Sequence, residues 1–130
     1  MKLVSLQARG GEKGKYLSHA HGSSFLQNGF LGEGEEFMIE ELGNNRVKLA
    51  CKGKEDGKYL SHGNGQVFLQ NGYQGEGEEW ILREMEGGVA FEATGGESLY
   101  YLTHAFGSTN LQKGYQGEGE LWDQKVIAAN

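Results

Sequence analysis

Residues 16–37 read YLSHAHGSSFLQNGFLGEGEEF, residues 59–80 read YLSHGNGQVFLQNGYQGEGEEW, and residues 101–122 read YLTHAFGSTNLQKGYQGEGELW. The offsets are 43 and 42 residues, and 11 of the 22 aligned positions hold the same residue in all three copies. Self-similarity at one fixed spacing marks a chain built from repeated structural units, none of which buries its apolar face alone. The 130 residues divide into units 1–43, 44–86 and 87–130, a length that suits one domain with one core.

Working outward, each segment is preceded by an alternating lead-in: Val4, Leu6 and Ala8; Val47, Leu49 and Cys51; Val89, Phe91 and Ala93. A period of two means a strand with one face inward. Each unit then reads as four short strands: the lead-in, a second at Tyr16-Leu17, Tyr59-Leu60 or Tyr101-Leu102, and a third ending at Leu26-Gln27, Leu69-Gln70 or Leu111-Gln112. The fourth starts at Phe37, Trp80 or Trp122. The chain has 23 glycines and no proline, which suits tight turns set by positive φ. Twelve short strands in three equal units close best around a threefold axis, which removes most free edges. A propeller would need more blades, and a solenoid would need caps at its ends. The expected fold class is all-β, a β-trefoil.

Composition limits the partners. The formal net charge is −6, so phosphate backbones are repelled and no nucleic-acid partner is expected. Cys51 is the only cysteine and allows no intrachain disulfide. The opening MKLVSLQARGG is too short and too polar to read as a signal peptide, and no run is long enough for a transmembrane segment. The reading is a soluble protein, intracellular or exported by a route the sequence hides, with action at cell-surface glycans compatible with it.

Stretches of the repeat are similar to known trefoils. GKYLSHGNGQVFLQ (57–70), after the strand VKLACK (47–52), resembles the repeat of hisactophilin and fascin. VFLQNGYQGEGEEW (67–80) resembles the unit of ricin-B-type (R-type) lectins, in which a Gly-rich turn ends in Gln-x-Trp. Here Glu35-x-Phe37, Glu78-x-Trp80 and Glu120-x-Trp122 stand in that place, and His stands where those lectins usually carry a sugar-binding Asp. The loop His62-Gly63-Asn64-Gly65 is similar to a His-and-Gly loop of mussel trefoil lectins. The resemblance implies a trefoil fold of the carbohydrate-binding kind, while the lectins' sugar preference does not carry over.

The repeated Tyr, Leu and Phe/Trp positions are expected in the core. The repeated polar groups need another reason, because side chains on the surface of one unit owe nothing sterically to the next. Each unit supplies the groups a sugar needs: hydroxyl acceptors and donors, an imidazole, and a ring for the C–H face of a pyranose. The candidate carbohydrate-binding residues are His19, Gln27, Phe30 and Glu33; His62, Gln70, Tyr73 and Glu76; His104, Gln112, Tyr115 and Glu118. Phe30 and Leu31 depart from Tyr and Gln in the other units, which predicts that the first site is the weakest. The competing reading is structural: the histidines bonding backbone carbonyls, the glutamines satisfying strand ends, and Glu35, Glu78 and Glu120 holding the turn.

Other chemistries fit less well. Glycosidases need one carboxylate pair in a deep cleft, and three like copies argue against an enzyme. GEGEE offers too few ligands for calcium, so neither a metal nor another cofactor is expected. Trefoil protease inhibitors rely on one unique loop, and these loops are alike. The expected function is a lectin with up to three related shallow sites, galactose-type sugars being the first guess and glycans of glycoproteins or glycolipids the partners. A homodimer would add valency. The alternative is an actin-binding module of the hisactophilin or fascin type, which the acidic balance disfavours because actin is itself acidic.

Overall fold

A computed structural model describes residues 2–29, 32–72, 75–97, 99–105, 108–114 and 117–129, without the side chains at 12, 97, 105 and 129. The twelve expected strands are all present: β1 (Lys2–Ala8), β2 (Lys15–Ala20), β3 (Ser23–Asn28), β4 (Phe37–Gly43), β5 (Arg46–Cys51), β6 (Lys58–Gly63), β7 (Gln66–Asn71), β8 (Trp80–Met85), β9 (Gly88–Ala93), β10 (Tyr100–Ala105), β11 (Ser108–Lys113) and β12 (Trp122–Ala129). The sequence reading did not anticipate two single-turn 3-10 segments in each unit: Gly10–Glu12 and Glu33–Glu35, Gly53–Glu55 and Glu76–Glu78, Gly95–Glu97 and Glu118–Glu120.

Six strands form a closed antiparallel ring. β1 pairs with β4, β4 with β5, β5 with β8, β8 with β9, β9 with β12, and β12 returns to β1. The remaining six make three hairpins, β2–β3, β6–β7 and β10–β11, each joined to the ring by a single residue pair. The expected edge removal is therefore achieved by barrel closure, and the hairpins cap one end. Near the axis of the cap Ser24 Oγ and Thr109 Oγ1 lie 2.8 Å apart.

The alternating lead-ins point into the barrel as the pattern requires: Val4, Leu6 and Ala8 are fully buried, as are Leu49, Phe91 and Ala93. Phe37, Trp80 and Trp122 open the fourth strands at the centre of the main cluster. The indole N–H groups of Trp80 and Trp122 donate to the carbonyls of Leu60 and Leu102, at 3.0 and 3.4 Å, so the ring and the hairpin share one core. The repeated tyrosines do not behave as one set. Tyr101 is buried in a small side cluster with Ala90 and Leu121, whereas Tyr16 and Tyr59 are only half-buried.

Hairpin register fixes which side chains share a face, and the turns fix the register. His21 and Gly22 join β2 to β3 with φ of 52° and 78°; Asn64 and Gly65 join β6 to β7 with 52° and 77°. Two successive positive φ values make a type I′ turn, whose twist matches the strands. In that register Leu17 faces Leu26 and His19 faces Ser24, while Tyr16 faces Gln27. The second unit repeats this with Leu60 opposite Leu69, His62 opposite Val67 and Tyr59 opposite Gln70.

Candidate functional site

The second strand of each unit carries histidine on its core-facing side, two residues after the buried leucine. His19, His62 and His104 are 4–5% exposed. Each ring meets the aromatic residue of the same unit edge-on: Phe37 at 4.9 Å, Trp80 at 4.8 Å and Trp122 at 4.8 Å between centroids. Each Nε2 lies 2.9–3.0 Å from a main-chain carbonyl, that of Glu36, Glu79 or Leu121. A carbonyl only accepts, so Nε2 of His19 and His104 carries the proton and donates. At His62 the same nitrogen lies between the Glu79 carbonyl and the Thr94 N–H, which approaches it at 3.3 Å. Nδ1 of all three is buried and has no partner among the described residues. The imidazoles thus hold the start of the fourth strand, and only a ring edge reaches the surface.

The glutamates of GEGE divide by position. Glu35, Glu78 and Glu120 are buried, and their Oε1 atoms accept the N–H of Gly32, Gly75 and Gly117 at 2.9–3.0 Å. Their second oxygens accept Ser18, Ser61 or Thr103 at 3.3–3.5 Å. This set ties the turn to the hairpin. Glu33, Glu76 and Glu118 are exposed instead, and each folds over a glycine of the following unit. A Cβ built on Gly53 would stand 2.9 Å from the Glu33 Cβ, one on Gly95 2.9 Å from Glu76 Oε1, and one on Gly10 3.1 Å from the Glu118 Cβ. A side chain there would crowd the glutamate, and each of the three has positive φ (66–73°), which favours glycine.

The result is a cleft at the junction of neighbouring units. The first, of about 420 Å³, is lined by His19, Ala20, His21, Glu33 and Gly34 from one unit and by Lys52, Lys54 and Glu55 from the next. The second, of about 330 Å³, is lined by His62, Gly63, Asn64, Glu76 and Gly77, with Thr94 and Gly96 across the junction. Histidine and glutamate therefore meet as the sequence suggested, although the partner wall comes from elsewhere in the chain. At the third junction His104 and Glu118 have the same backbone and glycine contacts.

Gln27, Gln70 and Gln112 are not brought to these clefts by the register, because they pair with the tyrosines on the opposite face of the hairpin. Their amide nitrogens lie 3.4–3.5 Å from the carbonyl of the next residue. Phe30, Tyr73 and Tyr115 lie outside the described residues.

One contributor went unnoticed in the sequence. Glu55 is buried; its Oε1 accepts the Gly22 N–H at 2.6 Å and its Oε2 accepts Lys58 Nζ at 2.9 Å. These bonds hold its carboxyl below the usual carboxylate range, the Gly22 contact first and Lys58 second. The signal was present: Gly-x-Glu recurs at 10–12, 53–55 and 95–97, with the same offsets as the main repeat.

Several solved structures share the fold. A designed threefold symmetric protein, ThreeFoil, superposes with a TM-score of 0.75 at 20% identity, over 94% of this chain and 96% of its own. SeviL, solved bound to an asialo-GM1 saccharide, gives 0.79 at 16% identity over 98% and 99% of the two chains. The Polyporus squamosus lectin, solved with a Neu5Ac-containing epitope, gives 0.79 at 8% identity, covering 97% of this chain and 49% of that one. At these identities the likeness establishes the fold, a β-trefoil. No protein-family model and no curated protein sequence matches the chain.

Proposed function

We propose that this protein is a multivalent carbohydrate-binding lectin whose sites are the clefts at the junctions between units. The observation that carries the reading is the recurrence of one arrangement: a buried histidine edge and an exposed glutamate on one wall, the 3-10 turn of the next unit on the other. Glu33, Glu76 and Glu118 are the hydroxyl acceptors, and an ionised carboxylate can take two adjacent sugar hydroxyls. His19, His62 and His104 act as rigid walls, their Nε2 atoms being engaged by main-chain groups. Phe30, Tyr73 and Tyr115, next in sequence after the third strands, are the rings assigned to stacking.

The fold neighbours solved with saccharides support a glycan ligand, and galactose-type sugars are the first class to test. The carboxylates support binding without hydrolysis. In the first cleft Glu55 has both oxygens engaged, which leaves Glu33 as the free acid, and in the second Glu76 is the one acid on the wall. A general acid paired with a second carboxylate is not assembled there. Each shallow site binds weakly, and several on one body raise avidity by roughly 10²–10⁴ on a surface that presents many sugars.

The test is a glycan array and calorimetric titration with galactosides, with actin co-sedimentation run beside them. Specific galactoside binding that disappears in a Glu33→Gln/Glu76→Gln/Glu118→Gln variant of native circular dichroism is the expected result. Actin binding with no glycan signal would reject the proposal in favour of an interaction module.

A further inference from the structure

The clefts repeat in geometry but not in charge. Across the first junction stand Lys52 and Lys54; at the corresponding places of the second stand Thr94 and Gly96. The two lysines have no ion-pair partner among the described residues, whereas Lys48, Lys58, Arg9 and Arg83 are ion-paired and Arg46 pairs with both Glu76 and Glu79. Thr94 is occupied by its own unit junction, its hydroxyl 2.8 and 2.9 Å from the carbonyls of Glu76 and Glu79. With Glu55 neutralised by Lys58, the first cleft carries two free ammonium groups against the Glu33 carboxylate. The second has no cation among its lining residues; its Glu76 lies 3.9 Å from Arg46 Nη1, so that charge is already offset from outside the cleft. On a body of net charge −6, a cationic excess confined to a cleft is not a general surface property.

We propose that the first cleft selects a saccharide bearing an anionic group, a carboxylate or a sulfate ester, while the second takes neutral sugar. This rests on the glycan reading of the same clefts. Lysine ammonium groups are mobile point charges, suited to an anion whose position depends on the sugar ring beneath it. Glu33 folds over Gly53, between the two lysines, and takes ring hydroxyls; it offsets one of their two charges and leaves the other for the anionic group.

The experiment compares lactose, galactose 6-sulfate and sialyllactose by titration at low salt, following the amide signals of Gly34 and Lys54 for the first cleft and Gly77 and Gly96 for the second. An anionic sugar should bind the first cleft about tenfold more tightly than lactose, as expected for one charge-assisted contact; which of the two is preferred separates sulfate from carboxylate. The Lys52→Thr/Lys54→Gly variant should lose this preference at the first cleft while lactose binding at the second stays unchanged. Gly96→Lys should confer it on the second cleft, since a Cβ on Gly96 meets nothing within 4 Å. Lactose binding without an anionic preference, or a preference that survives in the double variant, overturns the inference and leaves the lectin reading intact. Absence of binding by all three sugars overturns both. Inorganic sulfate moving the Gly34 and Lys54 signals as strongly as galactose 6-sulfate overturns the saccharide assignment of the cleft.

Discussion

The Gly22 N–H of the first unit donates to the Glu55 carboxylate of the second at 2.6 Å, so the tip of one hairpin is fastened to the neighbouring unit by a buried acid. Glu55→Gln keeps the shape but removes the charge that Lys58 and Gly22 address. The first prediction is a lower Tm for this variant and weaker saccharide binding at the first cleft, with the second cleft unchanged.

The same carboxylate gives a pH dependence with a definite sign. Its folded pKa lies below the ordinary value, so its contribution is in place above that value and is lost as pH falls through the depressed one. Urea midpoints for wild type and Glu55→Gln should differ at pH 7 and converge as the pH falls below the ordinary carboxylate range. A gap that stays constant over this range would show that the charged form is not what holds the turn.

Gly53, Gly95 and Gly10 sit beneath the exposed glutamates with positive φ. Gly95→Ala combines a left-handed backbone with a Cβ placed 2.9 Å from Glu76 Oε1, and the backbone alone costs about 1–2 kcal/mol. Gly96→Ala, one residue on and open to solvent, should be nearly neutral. Denaturant unfolding of the two variants measures the contrast directly.

His62→Ala should behave as a packing variant before it behaves as a binding variant. It removes the Nε2 contact with the Glu79 carbonyl and the ring against Trp80, a loss of roughly 2–4 kcal/mol. Binding should therefore be scored at a temperature where circular dichroism shows the variant folded, and compared with Glu76→Gln, which exposes no cavity.

Burial pushes the Cys51 thiol up to about 12, with the nearby Glu55 charge adding and Lys58 opposing. A group held protonated in the fold contributes stability below its unfolded pKa, and that contribution is lost as pH rises from about 9 to about 12. Thiol reagents should label the native protein only as fast as it unfolds, and a rapid native reaction at pH 8 would contradict the buried placement.

Much of the architecture was legible in the sequence because it follows from local pattern. Val4-x-Leu6-x-Ala8 and its two counterparts can satisfy a period of two only as strands facing a core, and threefold repetition leaves few ways to close them. The site was legible in part. Histidine and the first glutamate of GEGE do meet, but Gln27 and its equivalents are turned away by one step of strand parity that only the turn geometry fixes. Glu55 escaped notice because its role lies in a neighbouring unit, across a contact created by ring closure. The tyrosines were grouped by identity, although Tyr101 lies beside Leu121 where the other units carry Glu36 and Glu79.

Because both described clefts take one wall from each of two adjoining units, a single repeat standing free would hold no whole cleft. The lining on one unit can therefore be changed without touching the other cleft: Lys52 and Lys54 belong to the first alone, Thr94 and Gly96 to the second alone.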